Sequence, residues 1–329
     1  MKKILAALLI MLILSCATAA CSSVEQPEAA TDAPAGETIL LKIAYDVAPT
    51  HSLHEAFCEL EQWLEAESSG RMEVELYPFF ELGDDADMLA MVAEGTIQMT
   101  LPQSSSLAAL VAADYPLPIP ESWQIWDSLD GFYLYPDAEA AIAAIDGSLG
   151  GQMIASLSDL AGQPFSCLGY AYEGPLCLAA TTSVPSPSEL SGRSVAVYGS
   201  PAWLTAYRSL GAQPLVLPLS EIYPALLREQ VSAYQATPEN IATMFLDDCS
   251  QQLWLTEHAY SFRPLLVNRE WYQSLSAEDA YLLDTAVEHF FSRQRALAQE
   301  RYASSIETLQ QRGMTIYSLT EEEKALWHN

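Results

Sequence analysis

PSPSELSGRSVAVYGSPAWLTAYRSLGAQPLVLPLSEIYPALLREQVSAYQATPEN, residues 185–240, alternates strand and helix signals. The β-branched run Ser194–Val197 stops at Gly199. Ser200 and Pro201 then start a helix as N-cap and first helical residue. Trp203, Leu204, Tyr207 and Leu210 share one side of that helix, which ends at Gly211. A second apolar run, Leu215–Leu217, meets Pro218, and Ser220 is read as the cap of a helix opening at Glu221. Such a series is a parallel α/β arrangement, in which ligands lie beyond the carboxyl ends of the strands. Helix N-termini at Ser200 and Ser220 would aim free N–H groups at one crevice. An ordinary βαβ unit without a site would give the same pattern.

The 329 residues suffice for two domains, and half of them are hydrophobic, enough for a large core. Asp and Glu number 43 against 14 Lys and Arg, a formal charge of −29. That surface repels phosphate backbones, which excludes nucleic acid as a partner, and at long range it favours cationic ligands. A solvated acidic exterior serving solubility is the plainer reading.

Residues 1–20 have the parts of a secretory leader: Lys2 and Lys3, the apolar core Ile4–Leu14, and a small-residue exit at Ala17–Ala20. Thr18-Ala19-Ala20-Cys21 resembles a bacterial lipobox, which makes Cys21 the expected lipidation site; Ile13-Leu14-Ser15-Cys16 fits the loose pattern too. Residues 21–38 read as a disordered, Ala/Pro/Glu/Ser-rich tether. The expected location is extracytoplasmic, lipid-anchored at the outer face of the cytoplasmic membrane or periplasmic; plain secretion is the alternative.

From Lys42 the pattern is again β-α-β-α-β, up to the strand Ile97–Leu101, with Asp84 capping a helix through Met88, Leu89 and Val92. Residues 102–165 are less regular, apart from an alanine-rich helix around Ala138–Ile145. Near the end, Ser276-Ala-Glu-Asp279 opens a helical pattern that runs to about Arg312, then Gly313 and a strand, Met314–Tyr317. Some 35 residues at ~1.5 Å each span ~50 Å, more than one lobe is wide, so an unbroken helix braces two lobes.

Two stretches together resemble the DctP-type extracytoplasmic solute receptors of TRAP transporters. Ser68–Met99 is similar to the family's Gly-basic-strand-Tyr-Pro…Leu-Gly-Asp-Asp…Met-Leu…Gly-(Ser/Thr) run. Ser186-Pro-Ser-Glu-Leu-Ser-Gly192 resembles its Ser-Pro-x-Asp-Leu-Lys-Gly, and Glu221-Ile-Tyr-Pro-Ala-Leu226 its Glu-Val-Tyr-x-Ala-Leu. The resemblance implies an α/β, two-lobe periplasmic-binding-protein-like fold with hinge-crossing strands and a long C-terminal helix. It implies a small solute trapped between lobe I (39–173 plus about 262–301) and lobe II (174–261 plus about 302–329). The solute would pass to the small and large membrane subunits of a permease, with no cofactor and no enzymatic step.

Departures from the family pattern shape the expected guest. Family members usually hold a ligand carboxylate with an Arg in Gly-Leu-Lys-Ile-Arg-Val; Gly192–Val197 puts Ala196 there, and Arg193, three residues earlier, points to the opposite face. A second frequent Arg follows Tyr-x-Gly, where this chain has Leu176. The Asp-Gly-Gln-Glu-Asn segment becomes Ser232–Ala236. Asp46, Asp85 and Gln103 match cleft-lining places, and Leu219 is a further candidate ligand-binding residue. A cleft with Ala196, Leu176 and Ala236 facing Asp46 and Asp85 should reject a dicarboxylate and take a neutral or cationic guest, held against Tyr172, Tyr198 and Trp203. As plain core aromatics these three rings would look the same. Arg263 is the cation that could still hold an anion.

His54-Glu55-Ala-Phe-Cys58 misses the zinc pattern H-E-x-x-H at its last place; with His51 it remains short of ligands, and no metal is expected. Cys167 and Cys177 flank a Gly-containing turn as a candidate disulfide pair, with buried free thiols as the alternative. No nucleophile elbow, P-loop or dinucleotide fingerprint occurs. Two rivals to a transport receptor stay open: a ligand-binding sensor subunit without a permease, and a secreted two-lobe enzyme, which would need convergent acid/base groups in its cleft.

Overall fold

A computed structural model describes residues 38–110 and 120–327. The leader, Cys21 and the tether lie outside them.

In chain order the first half runs β1 (Ile39–Ala44), α1 (Ser52–Glu67), β2 (Met72–Tyr77), α2 (Asp85–Ala93), β3 (Met99–Thr100), α3 (Ser104–Leu110), a 3-10 helix (Glu121–Leu129), α4 (Ala138–Ile145) and α5 (Ser148–Ser156). Then come β4 (Phe165–Ala180), β5 (Ser194–Val197), α6 (Pro201–Ser209), β6 (Gln213–Val216), α7 (Leu219–Leu227), β7 (Ala233–Ala236) and α8 (Pro238–Thr243). The chain closes with β8 (Gln252–Asn268), α9 (Arg269–Ser274), α10 (Ala277–Gln311), β9 (Thr315–Ser318) and α11 (Glu321–Trp327).

The nine strands among the described residues form one mixed sheet, ordered β2-β1-β3-β8-β4-β7-β5-β6, with β9 also beside β8. The sheet has two halves. Parallel β2, β1 and β3 lie against the C-terminal end of β8, at Leu266 and Val267. Parallel β6, β5 and β7 lie against the C-terminal end of β4, Cys177–Ala180, while β9 joins the N-terminal end of β8. Between them only β4 and β8 continue, an antiparallel ribbon with register shifts between Tyr172 and Gly174 and between Leu176 and Leu178. Those two strands cross from lobe to lobe, and the irregularities weaken the ladder where a hinge needs it weak.

Local chemistry explains the flanking elements. Asp84 caps α2 with a full capping box to Asp87, and Ser200 caps α6 ahead of Pro201. α7 starts two residues before the expected Glu221: extended Pro218 is its N-cap, which places Ser220 inside the first turn. The strand expected over Ile97–Leu101 contracts to Met99–Thr100. α10 runs 35 residues without a break at Ser292. Leu283, Val287 and Phe290 join the core built by α1 and β1, Ala298 the core around Trp123 and Trp126, and Leu309 the core beneath α7. At its middle, buried Gln294 accepts from Tyr172 N (3.0 Å) and donates to Tyr172 O (2.6 Å), clasping the ribbon at its waist.

Cys58, Cys167, Cys177 and Cys249 are free thiols. Cys167 and Cys177 lie on the one extended strand β4, ten residues apart; at ~3.3 Å per residue that is far beyond disulfide reach. The expected turn between them is the strand itself.

Gly169 shows how tightly α10 seats. At φ +145° it holds a backbone that suits glycine, and a Cβ there would come within 2.5 Å of the Phe291 ring on α10. Gly169→Ala should destabilise by about 1–3 kcal/mol in urea unfolding. Gly162→Ala, with open space around it at φ +78°, should cost about 1 kcal/mol from backbone strain alone.

Candidate functional site

The carboxyl ends of the parallel strands converge on one hollow. Asp46 follows β1, Gln103 follows β3, Tyr198 and Gly199 follow β5, and Leu217, Pro218 and Leu219 follow β6. Together with Asp84, Asp85 and Leu89 of the α2 start, Phe80, Ser106 and Val216, they enclose about 170 Å³. The first lobe supplies its acids, Asp46, Asp84 and Asp85; the second supplies aliphatic walls and the Tyr198 ring. No Lys or Arg lines it among the described residues.

The cation lies one layer behind. Arg263 on β8 is fully buried, and Asp46 approaches it end-on, Oδ1 to Nη1 at 2.7 Å and Oδ2 to Nη2 at 3.2 Å. Its Nε faces Glu173 Oε1 at 2.9 Å, and Nη1 also donates to Leu101 O (2.9 Å). Glu173 sits in the ribbon's register shift, where Gln103 Nε2 (2.8 Å) and Ser261 Oγ (2.6 Å) donate to its Oε2. Burial works against the Glu173 charge, but Arg263, His51 and these donors outweigh it and hold its pKa below the usual range. Asp85 goes the other way: burial first, then the Asp46 charge, push it up to about 7 against the pull of Arg263, Ser106 and the Gln103 amide. Asp46 is raised too, by burial first and against the pull of Arg263, so the guanidinium that sequence reasoning kept available for an anion is paired with two internal carboxyl groups, of which Glu173 is the one held firmly ionised.

Two further carboxylates reach across to helix starts. Glu239 of α8 accepts from Ser52 N and Ser52 Oγ, both at 2.7 Å, at the start of α1. His51, the N-cap, accepts from Leu53 N through Nδ1 (3.1 Å), and its Nε2 lies 3.5 Å from Glu239 Oε2. In the reverse sense, Asp127 of the 3-10 helix accepts from Ala202 N (3.0 Å) in the first turn of α6. The α6 N-terminus expected to face the crevice is thus occupied by the protein's own acid.

Of the residues singled out from sequence, Asp46, Asp85, Gln103, Tyr198 and Leu219 line the cavity, and Arg263 backs it. Five do not reach it. Tyr172 packs against Tyr260 and Phe262. Leu176 and Trp203 belong to a core with Leu178, Val197 and Tyr207, where Trp203 meets Phe132 and His258 edge-on. Ala196 and Ala236 face the core under α7 with Ile222 and Tyr234. Sequence reasoning passed over Glu173, Glu239, Ser261, Phe80 and Ser106. An acid inside the apolar run Tyr170–Ala180 was the available signal for Glu173. His54 is used locally, Nδ1 with Tyr45 OH (2.8 Å) and Nε2 beside Cys58 Sγ (3.4 Å).

Comparison with known proteins agrees with this architecture. Residues 43–329 match DctP, the bacterial extracellular solute-binding protein family 7. The chain belongs to that family, the DctP-type solute receptors of TRAP transporters: an extracytoplasmic binding protein for a small solute, not an enzyme. Among its relatives, the C4-dicarboxylate-binding periplasmic protein DctP of Rhodobacter capsulatus is 24% identical over 292 residues, covering 88% of this chain and 84% of that protein. The 2,3-diketo-L-gulonate-binding periplasmic protein YiaO of Escherichia coli K12 is 25% identical over 277 residues, covering 84% and 80%. A TRAP periplasmic solute binding protein from Shewanella oneidensis with bound succinate has the same fold, with a TM-score of 0.80 at 18% identity over 88% of this chain and 91% of that one. The raised Asp85 has causes in its surroundings, and the relatives are receptors.

A second buried acid gives a test of the α6 contact. Asp130, beside Ser200 and Trp203, is pushed up to about 8, first by burial and then by Asp127. A carboxylate near pKa 4 when unfolded and about 8 when folded stabilises most below pH 4, and that contribution is lost as pH rises through 8. Asp130→Asn should remove this loss. The gap between the melting temperatures of variant and wild type should move in the variant's favour between about pH 4 and 8 and then level off, at up to about 1.4 kcal/mol per pH unit.

Proposed function

We propose that this receptor traps a neutral or cationic solute, not a dicarboxylate, in the cavity between its lobes and delivers it to the membrane subunits of a TRAP permease. The observation that carries the reading is the charge of the walls: three acids line the cavity and the nearby guanidinium is already neutralised. A solute carboxylate about 4 Å from one such acid in its ionised form meets roughly 4 kcal/mol of repulsion at a protein-like dielectric, more than a charge-assisted hydrogen bond of about 1.5–3 kcal/mol returns. An ammonium or a hydroxyl has no such penalty.

In this reading lobe I comprises residues 39–173 plus about 262–301 and lobe II residues 174–261 plus about 302–329. Closure bends the two-strand ribbon at the register shifts around Glu173. Lipidation at Cys21 and the tether to residue 38 hold the receptor at the outer face of the cytoplasmic membrane, near the permease.

Differential thermal melting of the purified protein against amines, polyols and C2–C4 acids tests the ligand class. A guest at 100 times its Kd adds about 2.7 kcal/mol, roughly 5 °C for a chain of this size. A dicarboxylate giving that shift, with amines and polyols silent, would overturn the reading. The sign of the pH dependence separates the two remaining classes. A cation favours ionised Asp85, so its affinity should fall up to about tenfold per unit as pH drops below about 7. A neutral acceptor held by the protonated acid should weaken above that pH instead. Asp85→Asn should flatten either slope in calorimetric titrations.

A further inference from the structure

The contact between Asp46 and Arg263 sets a carboxyl group on a buried guanidinium beside the cavity. Asp46 meets both prongs of the guanidinium fork, Nη2 donating to Oδ2 at 3.2 Å while Oδ1 lies 2.7 Å from Nη1 as an ion contact. Here the carboxylate comes from the chain, at the carboxyl end of β1. Asp46 lines the cavity and is 4% exposed, whereas Arg263 is fully buried and lines no part of it. Asp46 thus stands between the hollow and the cation. The other faces of the guanidinium are closed by Glu173 at Nε and the Leu101 carbonyl at Nη1. Of these three partners of the guanidinium, Asp46 is the one that lines the cavity.

We propose that Asp46 is the residue that determines which solutes this receptor refuses: its carboxylate occupies the guanidinium face on which a solute carboxylate would otherwise dock. The proposal rests on reading the cavity as the solute site. Cutting the side chain back to a methyl vacates the space of one carboxylate group beside the cavity, faced by two guanidinium nitrogens. Glu173 stays paired with Nε, so the cluster loses its excess negative charge and an incoming monocarboxylate restores the original pairing. The side chains at 176 and 196, which a family comparison would nominate as the switch, do not touch the cavity.

Isothermal titration of the full chain with acetate, lactate and succinate tests this at pH 6, where Asp85 is largely protonated. Asp46→Ala should bind acetate or lactate at least tenfold more tightly than wild type, and Asp46→Ala/Arg263→Met should lose that gain. Asp46→Asn removes the charge but keeps the fork covered, so it should gain clearly less than Asp46→Ala. A folded Asp46→Ala with no gain, a gain that survives loss of Arg263, or an equal gain in Asp46→Asn would each overturn the proposal. Should Asp46→Ala not fold, Asp46→Ser vacates the same fork and answers to the same outcomes. Adding Leu219→Trp, which fills the cavity, isolates the underlying premise. Loss of the gain in Asp46→Ala/Leu219→Trp supports entry through the cavity; retention would overturn the cavity as the solute site while leaving the Asp46–Arg263 contact as the point of exclusion.

Discussion

One buried cation organises the middle of this molecule. Arg263 leaves β8 where the sheet narrows to two strands, and its guanidinium gathers the end of β1 through Asp46, the end of β3 through the Leu101 carbonyl, and β4 through Glu173. Buried ion pairs add little net stability over a packed apolar core, because desolvation offsets the attraction, but removing one partner costs about 3–5 kcal/mol. The arrangement therefore fixes geometry more than it stabilises. It also makes the two-strand ribbon and the cavity share one set of charges, since Glu173 lies in the register shift while Asp46 lines the hollow.

The composition explains how the remaining acids are managed. With 43 acidic residues against 14 Lys and Arg, most carboxylates cannot find a cationic partner. Several take backbone N–H groups at helix starts instead: Asp84 at α2, Asp137 at α4, Glu239 at α1 and Asp127 at α6. A helix N-terminus offers unpaired donors and a favourable dipole, so it serves an anion without a second charge. Two of these caps are local and two join different packed cores. The latter two make helix starts into points of contact between segments remote in sequence.

Most of the fold could be read from local pattern, because caps and periodicity act over a few residues. Ser200-Pro201, Asp84 and Ser276 each mark a helix start that the structure has, and Ser194–Val197 is a strand with the bounds read from sequence. The long strands β4 and β8 carry no such signature; Gly169, Gly174, Pro175 and Pro264 interrupt them, and only tertiary pairing keeps them extended. The same division runs through the site. Residues placed just beyond strand ends, Asp46, Gln103 and Tyr198, reach the cavity because strand direction decides it. Trp203, Leu176 and Ala196 turn away, since which face of an element meets the core is decided by partners remote in sequence. Glu173 and Glu239 were hidden for that reason too: their partners lie 88 and 187 residues away.

The clasp of Gln294 on Tyr172 has a further consequence. A ribbon of two strands has bare edges, and an unpaired run of amides invites a strand from another chain. By giving Tyr172 both a donor and an acceptor from a helix, Gln294 occupies the place an intruding strand would take. The waist can then stay thin enough to bend without becoming a seam along which two copies of the receptor exchange strands or aggregate.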